Sequence, residues 1–90
     1  LNQTDYTSLS RVLYGHMRET TYRAPDTLDI QRAERVINGC SDDTVFHNRN
    51  NGAPIGRVGE TGAIMHANAG MVRAAIERHN AYATNAANAA

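Results

Sequence analysis

Lysine is absent from this 90-residue chain, and all nine of its basic side chains are arginine. There is one cysteine, Cys40, and a lone thiol excludes both an internal disulfide framework and a multi-cysteine zinc site. Formal net charge is zero, so the basic coat that usually accompanies nucleic-acid binding is missing on average, as is any long acidic or basic tail. No apolar run approaches the roughly 18 residues that a membrane span requires. No targeting segment is visible, which leaves the expectation of a soluble or assembly-bound chain. Leu1 is not an initiator, so the chain reads as a processed product or a fragment.

Large aliphatics are also scarce. Leu, Ile, Val and Phe together number fifteen among ninety residues. A chain of this length is one small domain, with a large surface for its volume. So thin a core implies that part of the stability comes from a partner or from self-association. The all-arginine cation set points the same way. Base composition of the coding sequence is an incomplete account, because a bias that removes lysine should also suppress asparagine, and nine Asn are present. Arginine's planar five-donor fork suits carboxylates, carbonyls and aromatic rings at interfaces.

What is present keeps helical spacing. Residues 5–23 place Tyr6, Leu9, Val12, Leu13, His16 and Met17 on one face at 100° per residue, with Thr4 or Asp5 as cap and Ala24-Pro25 as the stop. Gly15 inside this helix costs about 1 kcal/mol relative to alanine, which suggests a close neighbour. Residues 26–38 form a second helix. Asp26 with Asp29 resembles a capping box, Ile30, Ala33, Val36 and Ile37 make its apolar face, and Gly39 sits where a left-handed cap is expected. A short helical turn is expected near 42–48. The Gly- and Asn-rich stretch that follows reads as a long exposed loop, of a length usually functional or ordered by a partner.

The third main helix is expected over 61–82. Ile64, Met65, Met71, Val72, Ala75, Ile76 and Tyr82 cover a broad arc, and Ala63, Ala67, Gly70 and Ala74 form a separate stripe of small residues that would let another backbone approach. Residues 1–82 thus read as a single helical domain, and 83–90 as an Ala/Asn-rich tail expected to fray without a partner.

No catalytic constellation emerges, and no cofactor is implied. The four His lack metal-site spacing. On one helix, His66 and His79 would stand about 20 Å apart, and His16 falls on an apolar face as a core residue. Cys40 with His47 seven residues on is weak evidence for a nucleophile and its base, since such pairs are spatial rather than sequential. Gly52, Gly56, Gly59 and Gly62 precede a helix, but neither nucleotide-loop pattern is present.

One local resemblance concerns nucleic acid. Ala33-Glu34-Arg35-Val36-Ile37-Asn38-Gly39-Cys40-Ser41-Asp42-Asp43-Thr44-Val45 resembles a helix-turn-helix DNA-binding motif, with a helix, a Gly turn, a Ser cap and a second helix start. The resemblance implies that His47, Asn48 and Arg49 face the groove or its phosphates. It spans about 17 of the 90 residues. The turn is one residue too long, and the second helix meets Asn50-Asn51-Gly52 after barely two turns.

These observations lead to an expected all-α, non-enzymatic interaction or structural subunit of a larger protein assembly. Its partners would be other chains or itself, met through Ala63, Ala67, Gly70, Ala74, Arg57, Arg73 and Arg78. A helix-turn-helix DNA-binding protein is the alternative.

Overall fold

A computed structural model describes residues 1–89 as three helices and one small hairpin. In chain order these are α1 (Gln3–Tyr14), α2 (Thr27–Ile37), β1 (Gly56–Val58), β2 (Ile64–His66) and α3 (Ala69–Ala89). The chain is predominantly helical but not purely so.

The three main helices are present, two of them with shifted bounds. Helix α1 begins two residues early, because the Asn2 side chain accepts from the Asp5 N–H at 2.8 Å. It also stops at Tyr14 rather than continuing to 23. The apolar spacing runs on, but the path of the backbone ends the helix. A Cβ on Gly15 would sit on the carbonyl oxygens of Arg23 and Arg11, so the returning chain occupies the space where a longer helix would build. The close neighbour of Gly15 is thus the backbone of Arg23. The Thr20 hydroxyl lies 3.0 Å from the Tyr14 carbonyl and covers the helix end. His16, expected in the core, is exposed.

Helix α2 obeys its local signals. Asp26 accepts from the Asp29 N–H at 2.8 Å, and Asp29 accepts in return from the Asp26 N–H at 3.1 Å. This is a reciprocal capping box with aspartate at both ends. Past Ile37 the chain leaves through Gly39 at φ +80°, which favours glycine.

The stretch 42–48 is not helical. After a turn at Asp42 and Asp43 the backbone extends, with isolated bridges from Val45 to Asn68 and from His47 to Pro54. Tertiary pairing accounts for this. Phe46 accepts from the Ile55 N–H at 3.0 Å, and Thr44 accepts from the Ala69 N–H at 2.8 Å. An extended strand with Phe46 buried offers those partners; a helical turn would not.

The Gly/Asn-rich region is likewise ordered into a turn at 49–51 and the antiparallel β1–β2 hairpin, in register Gly56 with His66, Arg57 with Met65 and Val58 with Ile64. Gly62, at φ +82°, makes the hairpin turn. Helix α3 therefore starts at 69 rather than 61, where the Asn68 side chain accepts from the Met71 N–H at 3.0 Å. It extends through residues 83–89 of the expected tail, and Ala90 lies outside the described residues.

The core joins all three helices to the extended segments. Leu9, Val12, Leu13, Ala33, Ile37, Phe46, Ile55, Val72, Ala75 and Ile76 are buried together. Of the faces expected on α1 and α2, Leu9, Val12, Leu13, Ala33 and Ile37 are inside, Tyr6, Met17, Ile30 and Val36 are half-buried against them, and His16 is outside. On the third face only Val72, Ala75 and Ile76 are inside, while Ile64, Met65, Met71 and Tyr82 are exposed.

Candidate functional site

Two regions stand out, one for its polar chemistry and one for its lack of cover. The first is centred on Asp29, which is fully buried. Ser8 donates to it at 3.0 Å, the Arg23 guanidinium stands 3.1 Å away, Arg11 is at 3.4 Å, and Arg32 is 4.0 Å away. Burial alone would raise its pKa. The Asp26 N–H, the Ser8 hydroxyl and the Arg23 and Arg11 guanidinia outweigh burial and hold the carboxyl below the usual carboxylate range. Ser8, Arg11 and the Asp26 N–H donate to this carboxylate and Arg23 pairs with it, so the cluster ties α1, α2 and the connection between them. It is a structural knot.

The second region is the hairpin. Val58, Ile64 and Met65 are 63, 65 and 59% exposed. Val58 and Ile64 are cross-strand partners and share one face; Arg57 and Met65 share the other. Neither face is covered by the body. The hairpin is tethered at its base, where Ala67 donates to Ile55 at 2.8 Å, and by Arg57, whose guanidinium stands 3.0 Å from the Met17 sulfur. Gly56 lacks the Cβ that would collide with the Met65 carbonyl across the ladder. A two-stranded ribbon this short is marginal in water by itself.

The seven expected contact residues do not form one surface. Ala63 is exposed in the hairpin turn, Ala67 is buried at the hairpin base, and both precede α3. Gly70 does meet a close neighbour, but within the chain. Its N–H donates to the Asp42 carbonyl at 2.9 Å, and a Cβ there would stand 3.1 Å from the Asp42 side chain. Ala74 is exposed on α3. The stripe read at helical spacing is therefore no stripe, because half of it is not on the helix. Arg73 closes the C-terminal end of α2, donating to the Ile37 carbonyl at 2.9 Å and also to Cys40, and pairs with Asp42. Of the seven, Arg57 and Ala63 lie on the hairpin. Arg78 is exposed and lines a separate cleft with His16, Ala24, His79 and Tyr82.

The nucleic-acid candidates are also dispersed by the extended backbone. His47 and Arg49 are exposed, but Asn48 is buried, donating to Gln3 at 2.8 Å and accepting from the Asn50 N–H at 2.8 Å. It organises the turn and faces no groove. The recognition helix that the motif needs is not formed at 42–48.

Cys40 is partly buried, with its thiol 3.4 Å from the Val36 carbonyl. His66 lies on β2 rather than on the helix of His79. Among the described residues no three His, Cys, Asp or Glu side chains gather as a metal site, and no helix is long and apolar enough to cross a membrane. Sequence reasoning missed the hairpin. Its signal was Gly56, Gly59 and Gly62 bracketing Val58 and Ile64, a pattern that also suits a loop. Comparison with known proteins finds no family model, no curated protein and no solved structure that matches this chain.

Proposed function

We propose that this chain is a non-enzymatic interaction subunit of a protein assembly and that it engages other chains, or a second copy of itself, through the β1–β2 hairpin. One observation carries the reading: three large apolar side chains are more than half exposed on a single ribbon, with Val58 and Ile64 paired on one face and Met65 on the other. Apolar side chains clustered on a monomer's surface mark interaction sites. Zero net charge removes the long-range repulsion that would keep copies apart.

The test is the mass of the native particle, by sedimentation, for the parent chain and for a Val58→Asp/Ile64→Asp variant in the same source. A parent particle well above the 9.8 kDa of one chain, which the variant fails to join while keeping its helical spectrum, supports the reading. A parent that sediments as a single chain overturns it.

A further inference from the structure

We infer that the cleft between the segment following α1 and the middle of α3 binds a small aromatic carboxylate. None of its lining residues belongs to the hairpin, so the inference does not rest on the assembly role. The cleft encloses about 380 Å³ and is lined by His16, Ala24, Arg78, His79 and Tyr82. That volume lies in the range of small-molecule pockets, roughly 300–1,000 Å³.

Three of the five lining side chains are planar rings, and a fourth is a methyl group. The His16 and His79 rings meet edge to face, with centroids 6.2 Å apart and planes at 73°. His79 is fixed by its own chain: its Nε2 stands 3.1 Å from the Val12 carbonyl oxygen. A carbonyl only accepts, so this nitrogen donates. That carbonyl is free because α1 ends at Tyr14, and the last carbonyls of a helix have no partner of their own. The early stop of α1 thus both opens the cleft and orients one of its walls. Tyr82, 78% exposed, forms the outer wall with a face that a bound ring would cover, in the offset or edge-on arrangement that aromatic pairs favour.

Charge selects the ligand. Arg78 is the one permanently charged group in the lining, no carboxylate lines the cleft, and among the described residues Arg78 makes no ion pair. A guanidinium with no acid of its own repels cations and suits a carboxylate, which it can hold through two parallel N–H bonds. Ring walls with one unpaired cation among them therefore match a single aromatic ring bearing one carboxylate. A purely polar anion would leave the rings bare, and an uncharged ring would leave Arg78 unmatched.

The experiment is a titration of the folded chain with 4-hydroxybenzoate, followed by backbone and histidine side-chain NMR shifts. Cyclohexanecarboxylate, which keeps the charge without the aromatic ring, and benzyl alcohol, which keeps the ring without the charge, are the comparison probes. The expected result is saturable shifts at His16, Ala24, Arg78, His79 and Tyr82, with both comparison probes clearly weaker. Arg78→Gln should weaken binding about tenfold, the equivalent of one charge-assisted hydrogen bond, and leave shifts outside the cleft unchanged. Tyr82→Ala should also weaken it. Absence of saturable shifts, equal binding of either comparison probe, or undiminished binding by Arg78→Gln overturns the inference.

Discussion

The Asp29 knot and the β1–β2 hairpin are opposite solutions to the same scarcity of apolar residues. At Asp29 a buried charge is surrounded by donors from α2's own cap, from Ser8 and Arg11 on α1, and from Arg23 between them. The helical body thus gains a polar cross-link where aliphatic packing is thin. In the hairpin, Val58, Ile64 and Met65 remain outside, although the core is short of large aliphatics. A chain with little apolar surface to bury has left some of it exposed on a ribbon that the helices do not cover. This contrast separates what holds the fold from what is available to a partner, and it can be broken experimentally from either side.

The largest effect is expected at Asp29. Asp29→Ala should destabilise the chain by about 3 kcal/mol in urea unfolding at neutral pH. That is the low end for breaking a buried ion pair, because the guanidinia of Arg11, Arg23 and Arg32 reach water. The same group sets the acid limb of stability. Its folded pKa lies below the unfolded value, so its contribution is complete above the unfolded carboxylate pKa of about 4 and is lost as pH falls through the lower folded value. The parent should therefore lose stability as pH falls below about 4, and Asp29→Ala should show a shallower slope there. An Asp29→Ala midpoint equal to the parent's would remove the knot from the argument.

Next in size is Gly15→Ala. In an ordinary helix this change would stabilise by about 1 kcal/mol. Here the new Cβ meets the backbone carbonyls of Arg23 and Arg11, and overpacking of that kind costs about 1–3 kcal/mol. A fall in melting temperature locates the turn after α1 as seen here; a rise would mean that α1 continues past Gly15.

Tyr14→Phe tests the polar side of the comparison in the reverse direction. The Tyr14 hydroxyl is buried without a partner among the described residues, and burial raises its pKa. An unmatched buried hydroxyl costs about 1–3 kcal/mol, so removing it should raise stability, by about 1 kcal/mol after the lost packing of the oxygen. Destabilisation by Tyr14→Phe would reveal a bonded hydroxyl.

The smallest effect on folding is expected in the hairpin. Val58→Asp and Ile64→Asp, made singly, should each shift unfolding free energy by no more than about 0.5 kcal/mol, as for exposed surface sites. A large loss of stability would show that the ribbon belongs to the core after all.

Legibility followed the range of the interactions. Helix α2 was readable almost to the residue, because its box is made by Asp26 and Asp29 and its exit by Gly39, all within a few positions of the helix itself. The buried positions Leu9, Val12, Leu13, Ala33 and Ile37 were readable for the same reason, whereas His16, placed on the same face, is exposed beyond the end of α1. Periodicity misled where distant backbone took over. Residues 64–68 continue the apolar spacing of α3, yet Ile64–His66 pair with Gly56–Val58, and the Asn68 cap starts the helix five residues after Ala63. Residues 42–48 resemble a helix start, yet Phe46 and Thr44 are claimed by Ile55 and Ala69. The stripe of small residues fell with the helix boundary on which it depended. Asp29 was legible as a cap but not as a buried hub, since Ser8 and Arg11 lie 21 and 18 residues away.

By itself, then, the sequence determined a small, mainly helical, charge-balanced chain with three main helices and the caps of the second. Those properties depend on composition and on contacts within a turn or two of the backbone. Only the tertiary structure decided where α1 ends, that the Gly-rich segment is a hairpin with apolar side chains on show, and that a charged aspartate lies at the centre of the helical body. Each of these is fixed by partners beyond the local helical turn, six to ten residues apart across the hairpin, eight for Gly15 and Arg23, and 18 and 21 for Asp29 with Arg11 and Ser8, and their free energy outweighs local propensities worth only about 1 kcal/mol per residue or less.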